Sequence, residues 1–273
     1  MDEYGRKGKI EYSVEVNLDK KISMLSKNKI KQILSLSRKK ERDETLLFVA
    51  EGNKIVTDLL PLFRCQTLVV TEEFQKTLSD FQAEEVIIAT KEEIKKASQL
   101  NAPQSALAVF YQREYTLDAT SLKDKFSIML DTIQDPGNLG TIIRIADWFG
   151  IEEIICSNET VDIYNPKTIQ ATMGAIGRVR VHYCDLGELL DKIPNAPLFG
   201  TFLEGENIYK TTLPVNGILL MGNEGKGISP QLALRVTHKL FIPNFPANRE
   251  TSESLNVAVA TAIACSEFRR RRT

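Results

Sequence analysis

Histidine and cysteine are scarce in this sequence, two and four copies in 273 residues, and their placement excludes more than their number does. Cys65, Cys156, Cys184 and Cys265 form no C-x-x-C pair, and each stands in an apolar run. They read as small reduced core residues, with neither a zinc cluster nor a disulfide framework. His182 and His238 lack metal-ligand spacing and have no recognisable nucleophile beside them. Metal-assisted and Ser-His-Asp hydrolysis are therefore poor fits, and no metal is expected. No apolar run approaches the roughly 18 residues of a membrane span, and no charged-then-apolar signal segment is read. The expectation is a cytoplasmic protein with no membrane partner. Excess charge of one sign is also absent: 35 Lys and Arg against 36 Asp and Glu leave a net charge of −1. Any nucleic-acid binding must then come from local patches.

What is present is alternation. Strand-like runs at 46–50, 67–70, 85–89 and 106–111 alternate with helical runs at 51–60, 72–80 and 91–100, the pattern of a small α/β domain. Residues 1–22 are polar, lack a period and read as an extension. Between 112 and 125 the periodicity lapses, so the boundaries are set at 23–113 for the first domain, 114–125 for a linker and 126–273 for the second domain. The second domain resumes the alternation, with strands near 126–131, 153–157, 178–184, 197–203, 217–222 and 239–243. Helices are expected near 138–149, 165–173, 185–192, 229–236 and 254–269.

One local patch lies early. From Lys20 to Arg42 nine lysines and arginines face a single acid, Glu41, while Ile30, Ile33 and Leu34 supply an apolar helix stripe. Lys27, Lys29 and Lys31 on this helix, and Arg38, Lys39, Lys40 and Arg42 in a following loop, are candidate contacts for an RNA backbone; an ordinary solvated face is the alternative. A second basic run, 269–272, is either a solvated helix end that suits the dipole or a further phosphate contact.

Three other stretches carry chemistry. Residues 131–150, DTIQDPGNLGTIIRIADWFG, read as a strand end, a turn, a cap at Asn138 and an amphipathic helix, with a buried-looking Arg144 beside its stripe. That cation either serves an anionic ligand at a strand end or pairs with a carboxylate. Residues 217–227, GILLMGNEGKG, put three glycines just past a strand, where a backbone can approach a cofactor closely or simply turn. The spacing fits neither G-x-G-x-x-G nor a Walker motif, because Leu220 and Gly227 occupy positions that a Walker motif gives to Gly and to Ser or Thr. Finally, Ser254-Leu255-Asn256 opens an alanine-rich helix suited to close packing, in a core or across a dimer.

In that order the three stretches resemble the three motifs of the SpoU (TrmH-like) branch of the SPOUT RNA methyltransferases. Asn138-Leu139-Gly140 through Arg144 to Gly150 resembles the first, Met221 to Gly227 the second, and Ile242-Pro243 with Ser254 to Ala260 the third. The likeness spans residues 126–268, and the basic α/β domain before it resembles a ribosomal-protein-L30e-like substrate-binding domain. What the resemblance implies is an S-adenosylmethionine-dependent RNA 2′-O-ribose methyltransferase, a homodimer whose C-terminal SPOUT α/β domain holds a trefoil knot. Ribosomal RNA is the preferred substrate. Transfer RNA, or a catalytically silent RNA-binding module, is the alternative, while a nucleotide-dependent enzyme is disfavoured by the failed spacings.

By motif matching, the resemblance makes Asn138, Arg144, Glu224, Ser254 and Asn256 the catalytic set. It puts the cofactor against Thr201, Phe202, Leu203, Gly222, Asn223, Glu224, Gly225, Ile242, Pro243, Leu255 and Asn256. An arginine with a pKa above about 12 is a poor base, so Arg144 is expected to clamp a phosphate and steady the developing alkoxide. Glu224 and Asn256 would orient it and the ribose, with Ser254 in a proton-accepting position. The connection 244–253 departs from the family pattern in its length and in lacking a glycine.

Overall fold

The computed structural model describes residues 21–246 and 254–270, and of the first three only the backbone. Most of the polar extension, most of the long connection and the final arginines therefore lie outside the described residues. The first domain runs β1 (Lys21–Ser23), α1 (Lys27–Ser35), α2 (Lys39–Thr45), β2 (Leu47–Glu51), α3 (Asn53–Leu59), β3 (Cys65–Val70), α4 (Glu72–Gln75), β4 (Ala83–Ile88), α5 (Lys91–Ala97) and β5 (Ala106–Tyr111). Its five-stranded sheet has the order β1-β4-β3-β5-β2, with β5 antiparallel to both neighbours. Two expectations change here. Lys21 and Ile22, read as extension, pair with Glu85 and Val86 as an edge strand of this domain. The basic run 38–42, read as a loop, opens α2.

Ile33, Leu36, Ile94 and Ala97 cover one face of this sheet, packing on Val49, Val69, Ile87 and Val109. The other face continues into the second domain: the Phe48 ring lies 4.8 Å from that of Tyr164, whose hydroxyl donates to the Arg113 carbonyl and accepts from the Arg113 amide. The linker thus joins two bodies that share a core. Within it, Ala119–Asp124 forms a short 3-10 helix that buries Leu122 completely.

The second domain comprises β6 (Phe126–Leu130), α6 (Pro136–Trp148), β7 (Glu153–Cys156), α7 (Pro166–Thr172), β8 (Arg180–Tyr183), α8 (Leu186–Lys192), β9 (Leu198–Phe202), β10 (Glu206–Asn207), β11 (Gly217–Met221), α9 (Pro230–Ala233), β12 (His238–Phe241) and α10 (Val257–Arg270). Its seven strands are all parallel, in the order β10-β12-β9-β11-β6-β7-β8. Such a sheet needs cover on both faces, which is why β6 and β11 are buried at every position. Residues of α6, α7 and α10 cover one face, and α8, α9 and the 3-10 helix cover the other. A Cβ on Gly140 would stand 2.5 Å from that of Ala171, so glycine there permits the close approach of α6 and α7. Cys65, Cys156 and Cys265 are buried, and burial pushes the Cys65 and Cys265 thiols up to about 12, well out of the reactive range.

The chain moves from β6 through β7 to β8 on one side, then returns to build β9, β11 and β12 on the other. The reversal falls between β6 and β11, and a parallel sheet binds ligands beyond the carboxyl ends of its strands at such a point.

Candidate active site

At this reversal the loops after β6 and β11 meet. Asp135 caps α6 by accepting the Asn138 amide N–H at 2.7 Å, and Pro136 takes the first helical position. The sequence suggests Asn138 as the cap; because Asp135 does that work and the helix begins earlier, the Asn138 side chain is released for another contact. Its Nδ2 donates to Glu224 Oε1 at 2.8 Å, and its Oδ1 accepts from Asn256 Nδ2 at 2.9 Å. The direction of this relay is dictated chemically: a carboxylate only accepts, so Asn138 must turn its amide nitrogen to Glu224 and its oxygen to Asn256. Asn256 in turn directs its oxygen at the Ala258 and Val259 amides and so caps α10. One relay therefore joins the three motif stretches across sequence separations of 86 and 118 residues.

The loop after β11 has its own construction. Asn223 accepts the amides of Gly225 and Lys226 on Oδ1, each at 3.0 Å, and its Nδ2 donates to the Thr132 carbonyl at 2.8 Å. Asn223 is expected at the cofactor, but its side chain is committed to shaping the loop. Backbone bonds between Asn223 and Gly227 close the turn, and a Cβ on Gly222 would lie 2.2 Å from the Gly227 carbonyl carbon and the Ile228 nitrogen. The close approach that glycine permits here is of the chain to itself. Gly222→Ala should therefore open this loop at a cost of roughly 1–3 kcal/mol. Where the loop holds the S-adenosylmethionine that the resemblance implies, its affinity, measured by calorimetry, is expected to fall at least about tenfold, with far-UV circular dichroism unchanged.

The other expected cofactor residues gather at the same end of the sheet, because β12, β9 and β11 are parallel neighbours. Thr201 and Phe202 end β9, and the Thr201 hydroxyl donates to the Met221 sulfur at 3.6 Å. The Lys239 ammonium stands 5.2 Å from the Phe202 ring centre. Leu203 and Leu255 are 67% and 47% exposed, while Ile242 and Pro243 are half-buried. Ser254 is exposed and does not join the relay among the described residues.

Arg144 corrects one expectation. It is exposed, and it makes no hydrogen bond or ion pair among the described residues, with Glu224 and Asn256 included. Its place on α6 turns it to solvent beside the buried Ile142, Ile143 and Ala146, one turn before Trp148, which is 84% exposed.

The basic patch is also less free than its sequence suggests. Lys27 and Lys31 are exposed, but Lys29 pairs with Glu85 at 2.7 Å and Arg38 with Glu41 at 2.9 Å. Lys39 and Lys40 meet Asp43 and Glu44 one helical turn on, at 2.8 and 3.7 Å. Arg42 is not a surface contact: it is 1% exposed and grips Asp162 of the second domain through Nε and Nη2. Nor does Arg269 hang in solvent, since it donates to the Phe149 and Gly150 carbonyls at the end of α6.

A cavity of about 640 Å³ lies elsewhere, between the domains, and none of the motif residues lines it. The hydroxyls of Tyr164 and Tyr183 in its wall bond backbone groups. A residue outside the motif reading ties the loops after β6 and β11 together: Asp131, a buried carboxylate at the end of β6, accepts the Ser229 amide N–H at 2.7 Å. Its one signal in the sequence is an acid following an apolar strand.

Residues 125–266 match the SpoU rRNA Methylase family, and residues 27–108 match the MRM3-like substrate binding domain. The chain belongs to the SpoU methylase family. All three motif stretches fall inside the larger match. RlmP of Bacillus subtilis, named as a 23S rRNA guanosine 2′-O-methyltransferase, is 29% identical over 92% of this chain and 99% of its own length. An S-adenosylmethionine-bound rRNA methyltransferase from Sinorhizobium meliloti is 30% identical with a TM-score of 0.78, covering 93% of this chain and 98% of its own. A TrmH-family protein from Porphyromonas gingivalis reaches 39% identity and a TM-score of 0.80, over 91% of this chain and 100% of its own. In this chain the relay through Asn138 brings together three motif stretches that lie far apart in sequence.

Proposed function

We propose that this protein transfers a methyl group from S-adenosylmethionine to a ribose 2′-hydroxyl of ribosomal RNA. The observation that carries the reading is the Glu224–Asn138–Asn256 relay at the sheet reversal, flanked by loops able to hold the cofactor. The cofactor supplies an electrophilic sulfonium methyl group. The loops after β9, β11 and β12 suit it, since Leu203, Leu255, Ile242 and Pro243 offer apolar faces to a purine beside the glycine loop. The task left to the protein is positioning and the removal of one proton.

In this reading the exposed Arg144 guanidinium holds an RNA phosphate and steadies the 2′-oxygen as charge develops. Glu224 and Asn256, fixed through Asn138, orient the ribose, and Ser254 stands where the departing proton is received. Ribosomal RNA is favoured over transfer RNA because a relative matched over its whole length is named for 23S rRNA. The reading carries with it cytoplasmic action, the family's knot and a homodimer. The dimer is supported by exposed apolar side chains on two neighbouring helices, Trp148 (84%) at the end of α6 and Val259 (49%) near the start of α10. Trp148→Glu should yield a monomer in analytical ultracentrifugation, with methyl transfer reduced at least about tenfold if the site is completed across that face.

The deciding experiment is transfer of labelled methyl from S-adenosylmethionine to ribosomal and transfer RNA transcripts, followed by mapping of 2′-O-methyl positions. Incorporation into ribosomal RNA is expected. Saturable cofactor binding without transfer would mean a silent module, and label in transfer RNA alone would overturn the substrate.

A further inference from the structure

Thr132 stands at the junction of the first two motif loops with φ of +61°. A β-branched residue pays heavily for that conformation and holds it only where its surroundings over-determine it. The surroundings are on hand. The Thr132 amide donates to Ser157 Oγ at 3.0 Å, its hydroxyl donates to Asp131 Oδ1 at 3.1 Å, and its carbonyl accepts Asn223 Nδ2 at 2.8 Å. The other Asp131 oxygen accepts the Ser229 amide N–H, while the Asp131 amide donates to the Met221 carbonyl at 2.9 Å. The loop from Gly222 to Ser229 is therefore gripped near both ends by two consecutive residues that, among the described residues, hydrogen-bond to neither Asn138 nor Asn256.

Glu224 follows the gripped Asn223 directly, and the next amide, of Gly225, is bound to the Asn223 side chain. Where Glu224 reaches is thus set by where Thr132 points its carbonyl. With an ordinary negative φ at Thr132 that carbonyl would turn away, and the Asn223 anchor would be lost. We propose that Asp131 and Thr132 form a strained clamp that fixes the loop of residues 222–229, and through it the reach of Glu224 to Asn138. Both are positioning residues for the reaction. This inference rests on the methyltransferase reading only for its kinetic consequence; the clamp itself is a statement about the loop.

The test uses the full-length protein with Asp131→Ala, Asp131→Asn, Thr132→Pro and Thr132→Gly. Backbone amide hydrogen exchange over residues 222–229, read without cofactor, should quicken about tenfold or more in Asp131→Ala and in Thr132→Pro, whose negative φ turns the carbonyl away, with the first domain unchanged. Asp131→Asn keeps an oxygen for the Ser229 amide, and Thr132→Gly takes the positive φ freely and keeps both backbone bonds, so each should stay within about threefold of wild type. Kinetically, Asp131→Ala and Thr132→Pro should raise the KM for S-adenosylmethionine about tenfold to a hundredfold, with kcat at saturation changed less. Thr132→Gly guards against a folding defect: its melting temperature and KM should hold while those of Thr132→Pro do not, which separates backbone direction from side-chain packing. Unchanged exchange in Asp131→Ala and Thr132→Pro, or equal effects of Asp131→Asn and Asp131→Ala, would overturn the clamp. Failure of the wild-type chain to bind S-adenosylmethionine would sink the functional reading alone, since the exchange result decides the clamp without it.

Discussion

Arg144→Ala is expected to slow methyl transfer about 100- to 1000-fold while leaving the melting temperature and S-adenosylmethionine affinity close to wild type. The two halves of that expectation come from the same observation. Arg144 is exposed and has no partner among the described residues, so its removal breaks nothing that holds the fold. What is lost, in the proposed reading, is the positive charge offered to the RNA phosphate and the 2′-oxygen, and a group that acts on developing charge reports in kcat more than in ground-state binding. Arg144→Lys separates charge from shape: lysine keeps the cation but cannot present two parallel donors to a phosphate. Single-turnover rates, measured together with RNA affinity from filter binding, distinguish the two contributions. Near-normal turnover and RNA binding in Arg144→Lys would remove any guanidinium-specific role.

The elements of the fold are legible because burial writes them into the chain. The all-parallel second sheet demands apolar strands, and all but the short β10 lie within a few residues of their expected limits. The site is legible as three stretches, since a strand-end turn, a glycine loop and a helix cap are local signals. Their side-chain connections are not. Asn138 reads as a cap because nothing local tells it from Asp135; the difference lies in Glu224 and Asn256, which only the sheet order brings near. Arg144 reads as buried because it neighbours the apolar stripe, yet one position on a helix turns a side chain through about 100°, enough to face water. Asp131 and Thr132 escape notice for the same reason as the relay, since the bonds that restrain them come from Ser157, Asn223 and Ser229.

Arg42 is the clearest case, and it makes the second prediction. In sequence it is one more cation in a basic run, and as an RNA contact its loss would weaken RNA binding, lower the salt slope by about one and leave stability alone. Its burial predicts the reverse. Arg42 Nε and Nη2 hold Asp162 Oδ2 at 3.0 and 2.7 Å, and Nη1 donates to the Leu36 and Ser37 carbonyls at 2.9 Å each, just past the end of α1. Arg42→Ala would leave an acid with little access to water and two carbonyls without their donor, a loss of about 3–5 kcal/mol. Roughly 2–4 °C per kcal/mol puts the fall in melting temperature at about 6–20 °C, with the salt dependence of RNA binding unaltered in the surviving folded fraction. The pair Arg42→Met with Asp162→Leu removes both charges at similar volume and should recover part of that loss. Recovery stays incomplete because methionine cannot donate to Leu36 and Ser37, and the unrecovered part measures what the guanidinium does for α1 as distinct from what it does between the domains.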